Sequence, residues 1–186
     1  RVLTFGIGVD GVEQVTPLPP EGDMFVGSAR FVRAPTCPAP GTVRDGDFER
    51  GDWVVRSTSG TAQFVRVETR AARLQSVCAG AAEIATWISI PETPSFALAF
   101  SIQGTPERET RVSFDNGVAF APIRGTGKKE RVVRCIPPRL HGFAYELRVA
   151  ALPLLTDCES SEHNTVVVDD FALVPEPACA DLPVEP

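Results

Sequence analysis

The sequence predicts an all-β fold, a β-sandwich of the jelly-roll type with an N-terminal β-strand extension. Three observations carry that expectation. From residue 38 onward, apolar and polar residues alternate at the two-residue period of a half-buried strand, in many short runs. Clusters of Gly, Pro, Asp and Ser, drawn from 15 glycines and 17 prolines, separate those runs. No segment sustains the 3.6-residue helical period. At 186 residues the chain is long enough for one well-cored domain with an appendage. The expected division is a β extension over 1–37, a jelly-roll domain over 38–180 and a tail over 181–186.

In the extension, Val2 to Val9 and Val12 to Thr16 flank Asp10-Gly11, a pair suited to a tight hairpin, and Pro17 to Gly22 breaks the pattern. Gly6-Ile7-Gly8-Val9-Asp10-Gly11 formally matches a dinucleotide fingerprint. That motif needs a helix starting inside it, and proline arrives before a helix could complete a βαβ unit. The glycines read as hairpin glycines. A faint repeat aligns Phe25-Val26 with Val167-Val168, Phe31-Val32 with Leu173-Val174, and Pro35-Thr36-Cys37 with Pro177-Ala178-Cys179. It fits the tail of a preceding copy of the domain, an added strand of similar design, or the similarity any two amphipathic strands share.

In the domain, strands are expected at 46–49, 53–57, 62–68, 72–77, 82–90, 96–103, 110–115, 118–123, 130–135, 143–150 and 166–174. The clearest hairpin runs from Arg111-Val112-Ser113-Phe114 through Asn116-Gly117 to Val118-Ala119-Phe120. Asp45-Gly46-Asp47-Phe48-Glu49 and Val166 to Leu173 are read as the first and last strands, lying side by side.

Net charge is −6, with the acidic residues scattered, and nucleic acid as the main partner is excluded for want of a concentrated basic face. Sixteen of the 18 basic residues are Arg, a bias that carries no mechanism here. No apolar run approaches the roughly 20 residues that span a bilayer, so membrane insertion by a helix is not expected. The opening residues Arg1-Val2-Leu3-Thr4-Phe5 contain neither an initiator Met nor a signal-peptide core and read as a processed or excised form.

Five cysteines, Cys37, Cys78, Cys135, Cys158 and Cys179, form no Cys-x-x-Cys pair, which argues against zinc and for disulfides in an exported protein. Strand parity assigns partners. If successive strands alternate in direction, Cys78 and Cys158 fall at one end of the sandwich, and Cys135 and Cys179 at the other. The expected bonds are Cys78–Cys158 and Cys135–Cys179, with Cys37 spare or joined to another copy; a Cys37–Cys179 bond is the rival.

Asp45-Gly46-Asp47-Phe48-Glu49 followed by Trp53, the strand Arg73-Leu74-Gln75, the Ile/Trp strand ending at Pro91, Phe96 to Phe100 and the closing Val168-Asp169-Asp170-Phe171-Ala172-Leu173 together resemble the galactose-binding-domain-like jelly rolls. Many carbohydrate-binding modules belong to that group. The resemblance spans about Thr42 to Pro175, with Asp45 where an Asn is usual and Phe171 where an aliphatic residue is usual. It implies a structural Ca²⁺ held by Glu49, by Asp169 or Asp170, and by carbonyls near Glu68 to Arg73, since hard oxygen ligands from distant strands suit that ion; Asp47 is a further candidate ligand. The bland alternative is solvated strand-edge carboxylates facing Arg70 or Arg73. The resemblance also places Trp53 in the core.

A sugar-binding face is read from alternation. Ile84, Ile88 and Ile90 share one face, leaving Glu83, Trp87 and Ser89 on the other; Gln103 faces outward from 96–103, and Glu146 and Arg148 from 143–150. Trp87 beside Gln103, Glu146 and Arg148 suits a sugar, whose C–H faces stack on the ring while polar groups take hydroxyls. Alternatively, Trp87 is covered by the N-terminal segment or a partner subunit. His141 and His163 read as loop histidines outside any catalytic motif, so no enzyme is expected. Two functions remain in view. One is a non-catalytic extracellular module binding carbohydrate or a cell-surface glycan. The other is a structural or adhesive surface repeat or filament subunit self-associating through its N-terminal strand.

Overall fold

A computed structural model describes residues 39–57, 64–68, 70–76, 80–153 and 163–181. The chain divides into two compact units, Arg1–Arg33 and Ala34–Pro186, and every described residue belongs to the second. The hairpin at Asp10-Gly11, the repeat ending at Cys37, and Cys37, Cys78 and Cys158 themselves all lie outside the described residues.

The described part of the chain is a β-sandwich of two antiparallel sheets. Its strands are β1 (Thr42–Val43), β2 (Val54–Ser57), β3 (Phe64–Glu68), β4 (Ala71–Ser76), β5 (Ala82–Ser89), β6 (Phe96–Gly104), β7 (Glu109–Phe114), β8 (Ile123–Arg124), β9 (Glu130–Cys135), β10 (Ala144–Ala151) and β11 (Asn164–Pro175). One sheet has the order β1-β5-β10-β7-β8, with β2 also pairing β5; the other has the order β3-β4-β11-β6-β9. Most neighbours are distant in sequence because the chain passes repeatedly from one sheet to the other, as in a jelly roll. Between the sheets, Ile84 and Ile88 of β5, Leu147 and Val149 of β10, Leu98 and Phe100 of β6, and Val166 and Val168 of β11 are fully buried. These are the alternating apolar positions that the strand period requires.

Two expected strands change form. The second arm of the 111–120 hairpin is reduced to a bridge between Ser113 and Ala119 and a short β8, although the Asn116-Gly117 turn forms, with Gly117 at φ 87° and its N–H donating to the Phe114 carbonyl at 3.0 Å. Residues 46–49 form a turn, with Asp45 and Phe48 both at positive φ, 52° and 58°. The first and last strands are therefore not side by side: β1 pairs β5 in one sheet, and β11 lies between β4 and β6 in the other.

The acidic turn nonetheless meets β11. Between Asp169, opposite Ser101, and Ala172, opposite Ala99, β11 advances three residues while β6 advances two, so one residue is extra and the strand bulges. The Phe171 N–H, turned out of the ladder, donates to the Gly46 carbonyl at 2.9 Å. A Cβ on Gly46 would stand 2.0 Å from the Phe171 carbonyl oxygen, so only glycine permits this approach. Below it, Phe48 stacks on Trp53 at 4.7 Å and Phe171 stacks on Phe100 at 4.8 Å. Trp53 is buried, as expected of a core residue, and its indole N–H donates to the Asp45 carbonyl at 2.7 Å. The buried Asp45 carboxylate accepts from the N–H groups of Arg50 (2.7 Å) and Asp52 (2.9 Å), tying the turn into a closed knot.

Candidate functional site

The outward face of the β5 sheet follows from its registers. Trp87 stands opposite Glu146. One row along, Val54, Ala85, Arg148 and Ser113 lie abreast on β2, β5, β10 and β7, and in the next row Arg56, Glu83, Ala150 and Arg111 do so. Adjacent strands lie about 4.8 Å apart, so the face gathers one tryptophan, three arginines and two glutamates from four strands within a few strand spacings.

Glu146 is the centre of the polar part. Arg56 Nη2 meets its Oε2 at 2.6 Å, and Arg148 donates from Nε and Nη2 to Oε1, each at 2.8 Å. To reach Glu146, the Arg56 side chain must cross β5, and the small Ala85 lies in that path. Burial by itself would raise the Glu146 carboxyl, but the hydrogen bonds and charges of Arg56 and Arg148 outweigh it and hold the group below the ordinary carboxylate range. Glu83 goes the other way: desolvation by burial raises it, only partly opposed by Arg148 and Arg111. Both Glu146 oxygens are engaged, while the Trp87 ring remains 43% exposed beside them. The face thus offers a π-surface next to arginine N–H groups fixed by a carboxylate anchor.

Of the four residues expected to bind sugar, Trp87, Glu146 and Arg148 share this face. Gln103 does not: it lies on β6 in the opposite sheet. Placing it beside Trp87 assumed that strands adjacent in sequence are adjacent in space, whereas the 90–95 connection crosses between the sheets. Arg56, Val54 and Arg111 were not anticipated. Alternation alone puts Val54 and Arg56 on one side of their strand, but nothing in the sequence says that β2 pairs with β5.

The carboxylates expected around Ca²⁺ have local partners. Glu49 pairs with Arg70 at 3.5 Å, and Asp169 with Lys129 at 3.3 Å. Asp169 also accepts from the Asp170 N–H at 2.8 Å, and Asp47 accepts from the Glu49 N–H at 3.4 Å. Among the described residues no three or more His, Cys, Asp or Glu side chains converge as a metal site. His163 is exposed, whereas His141 follows a 3-10 turn with its Nε2 buried and without a hydrogen-bond partner. Of the expected disulfides, Cys135–Cys179 is formed, which removes the Cys37–Cys179 rival.

Fold and face together define a two-sheet jelly roll with a solvent-facing aromatic and charged surface on one sheet. No family model matches the chain, and no curated protein matches it. Similar solved structures include the enzymatically active domain of tailspike protein 4 of bacteriophage CBA120, at 18% identity and TM-score 0.48 over 72% of this chain, which spans 21% of that one. A second is TmCBM61 in complex with beta-1,4-galactotriose, at 14% identity and TM-score 0.49, covering 74% of this chain and 100% of that one. A third is the family 11 carbohydrate-binding module of the cellulosomal cellulase Lic26A-Cel5E of Clostridium thermocellum, at 12% identity and TM-score 0.48, covering 74% and 96%. Each is a likeness in the path of the chain, and no site residue is carried over from it.

Proposed function

We propose that this chain is a non-catalytic carbohydrate-binding module working outside the cell, with the outward face of the β5 sheet as its sugar platform. The observation that carries the reading is the exposed Trp87 ring directly opposite Glu146, itself locked between Arg56 and Arg148. A pyranose stacks its C–H face on an indole, and fixed arginine N–H groups donate to its hydroxyl oxygens without paying the ordering cost of free side chains. The same locking argues against catalysis. Both Glu146 oxygens accept from arginines that hold the carboxyl low, which makes it a weak base. The Cys135–Cys179 bond fits an oxidising, extracellular setting.

A glycan array probed with the full chain, followed by calorimetric titration of the best ligand, tests the reading. Binding that is lost in Trp87→Ala supports it. No glycan binding at all, or binding indifferent to Trp87, overturns it.

A further inference from the structure

The opposite sheet carries a cleft of its own, about 250 Å³ in volume, lined by Arg73 of β4, Thr165 and Val167 of β11, Gln103 and Gly104 of β6, and the loop residues Thr105, Pro106 and Gly127. The registers lay out its floor: Arg73 lies opposite Val167, and Val167 opposite Gln103, so a guanidinium and an amide flank one half-buried aliphatic side chain.

Its wall is backbone brought in close by glycine. A Cβ on Gly125 would stand 2.2 Å from the Thr105 carbonyl oxygen, and one on Gly127, at φ 79°, would stand 3.2 Å from Pro106. The side chains are partly pre-set. Gln103 donates to the Gly127 carbonyl at 3.1 Å, which fixes its amide and leaves Oε1 to accept. The Thr105 hydroxyl is consumed by Thr165, donating to its carbonyl at 3.1 Å and accepting from its N–H at 2.9 Å. Arg73 has no acidic partner among the described residues. The nearby Asp169 is taken by Lys129.

We infer that this cleft binds one carboxylate-bearing sugar unit, a uronate. Its carboxylate takes the bidentate N–H fork of Arg73, its C–H face lies on Val167, and its hydroxyls meet Gln103 Oε1 and the remaining amide N–H. The volume lies below the roughly 300–1,000 Å³ of pockets for drug-sized ligands, which limits the occupant to a single ring. The site lies on the other sheet from Trp87 and does not depend on that face.

The test is a titration of the full chain with sodium D-glucuronate, read in the NMR signals of the Arg73 Nε–H and the Gln103 side-chain amide. D-glucose, sodium acetate and sodium sulfate are titrated in parallel. The expected result is saturable shifts with glucuronate alone, affinity reduced at least tenfold in Arg73→Gln and unchanged in Trp87→Ala, with the thermal midpoint of Arg73→Gln close to that of the parent. Absence of saturable shifts overturns the inference, as does binding that survives in Arg73→Gln. Equal affinity for acetate or sulfate reduces the site to a simple anion site, and equal affinity for glucose removes the role of the carboxylate; either result overturns the assignment of a uronate. Loss in Trp87→Ala moves the binding to the other face and also overturns it.

Discussion

Trp87 on β5 and Glu146 on β10 stand directly opposite each other across an antiparallel pair, one exposed and apolar, the other ionised and held by two arginines. Their roles separate cleanly under mutation. Trp87 is 43% exposed and is absent from the buried core, so Trp87→Ala removes stacking surface with little loss of packing. We expect glycan affinity to fall at least tenfold, in line with the loss of about 1.5 kcal/mol or more of aromatic stacking, while the thermal midpoint moves little. Calorimetric titration paired with thermal unfolding of the same variant checks both halves.

Glu146→Gln should affect both stability and pH dependence. The variant leaves Arg56 and Arg148 without their shared carboxylate, at a cost of about 1–2 kcal/mol, since both arginines retain access to water. A carboxyl held below its ordinary value of 4.5 contributes stability that is complete above that value and is lost as pH falls through the folded-state value. The parent should therefore lose stability below about pH 4.5, and Glu146→Gln should lose less over that range. Glu83, raised by burial, has the opposite sign: keeping it ionised costs stability as pH climbs from 4.5 through its raised folded value. Glu83→Gln should gain on the parent across that rise. Urea midpoints of the parent and both variants from about pH 3 to pH 7 test the pair of signs.

At the seam between the sheets, Gly46 is buried, and Gly46→Ala should be far more damaging than the loss of a turn glycine alone. The added methyl would meet the Phe171 carbonyl oxygen at 2.0 Å, and Phe171 is held from below by its stack on Phe100 and from above by its N–H bond to Gly46. Neither backbone can yield without opening the bulge, so we expect a loss of about 2–3 kcal/mol. Gly51→Ala is the control. Gly51 is at positive φ, 73°, and nothing lies within 4 Å of its Cβ position, so only the backbone cost of about 1 kcal/mol applies. Equal destabilisation of the two variants would mean that the seam contact contributes nothing.

The contrast between Gly46 and Trp87 shows what the sequence could and could not reveal. Alternation within a strand is a local property, so the inward set Ile84, Ile88 and Ile90 and the outward set Glu83, Trp87 and Ser89 are both readable from residue types alone. Direction is nearly as local, which is why strand parity placed Cys135 and Cys179 at one end. Adjacency is not local. Gln103 went to the other sheet, and Arg56 reached Glu146 across 90 residues of sequence, because loop composition does not say which sheet a chain returns to. Asp45 to Glu49 alternates like a strand, yet two residues at positive φ fold it into a turn, since the buried Asp45 carboxylate rewards that shape with two N–H bonds. Period-2 alternation cannot distinguish a strand from a turn whose conformation is set by side-chain hydrogen bonds.

Cys135 and Cys179 close the far end of the domain. Cys135 ends β9, an edge strand of its sheet, and Cys179 sits in the 3-10 turn Pro177–Asp181 that follows β11, so the bond staples that edge to the end of the last strand. At a sequence separation of 44, cross-linking removes unfolded-chain entropy worth roughly 4 kcal/mol. For a domain of this size that corresponds to a fall of roughly 10 °C in thermal midpoint for the Cys135→Ser/Cys179→Ser variant. Peptide mapping of the unreduced parent should recover the two cysteines in one linked fragment. The staple belongs to the sheet opposite Trp87, so the folded variant should keep its glycan affinity at temperatures well below its midpoint. A midpoint that does not move would mean that this end of the sandwich holds together by packing alone, and a loss of affinity in the folded variant would mean that the two sheets are mechanically coupled through the core.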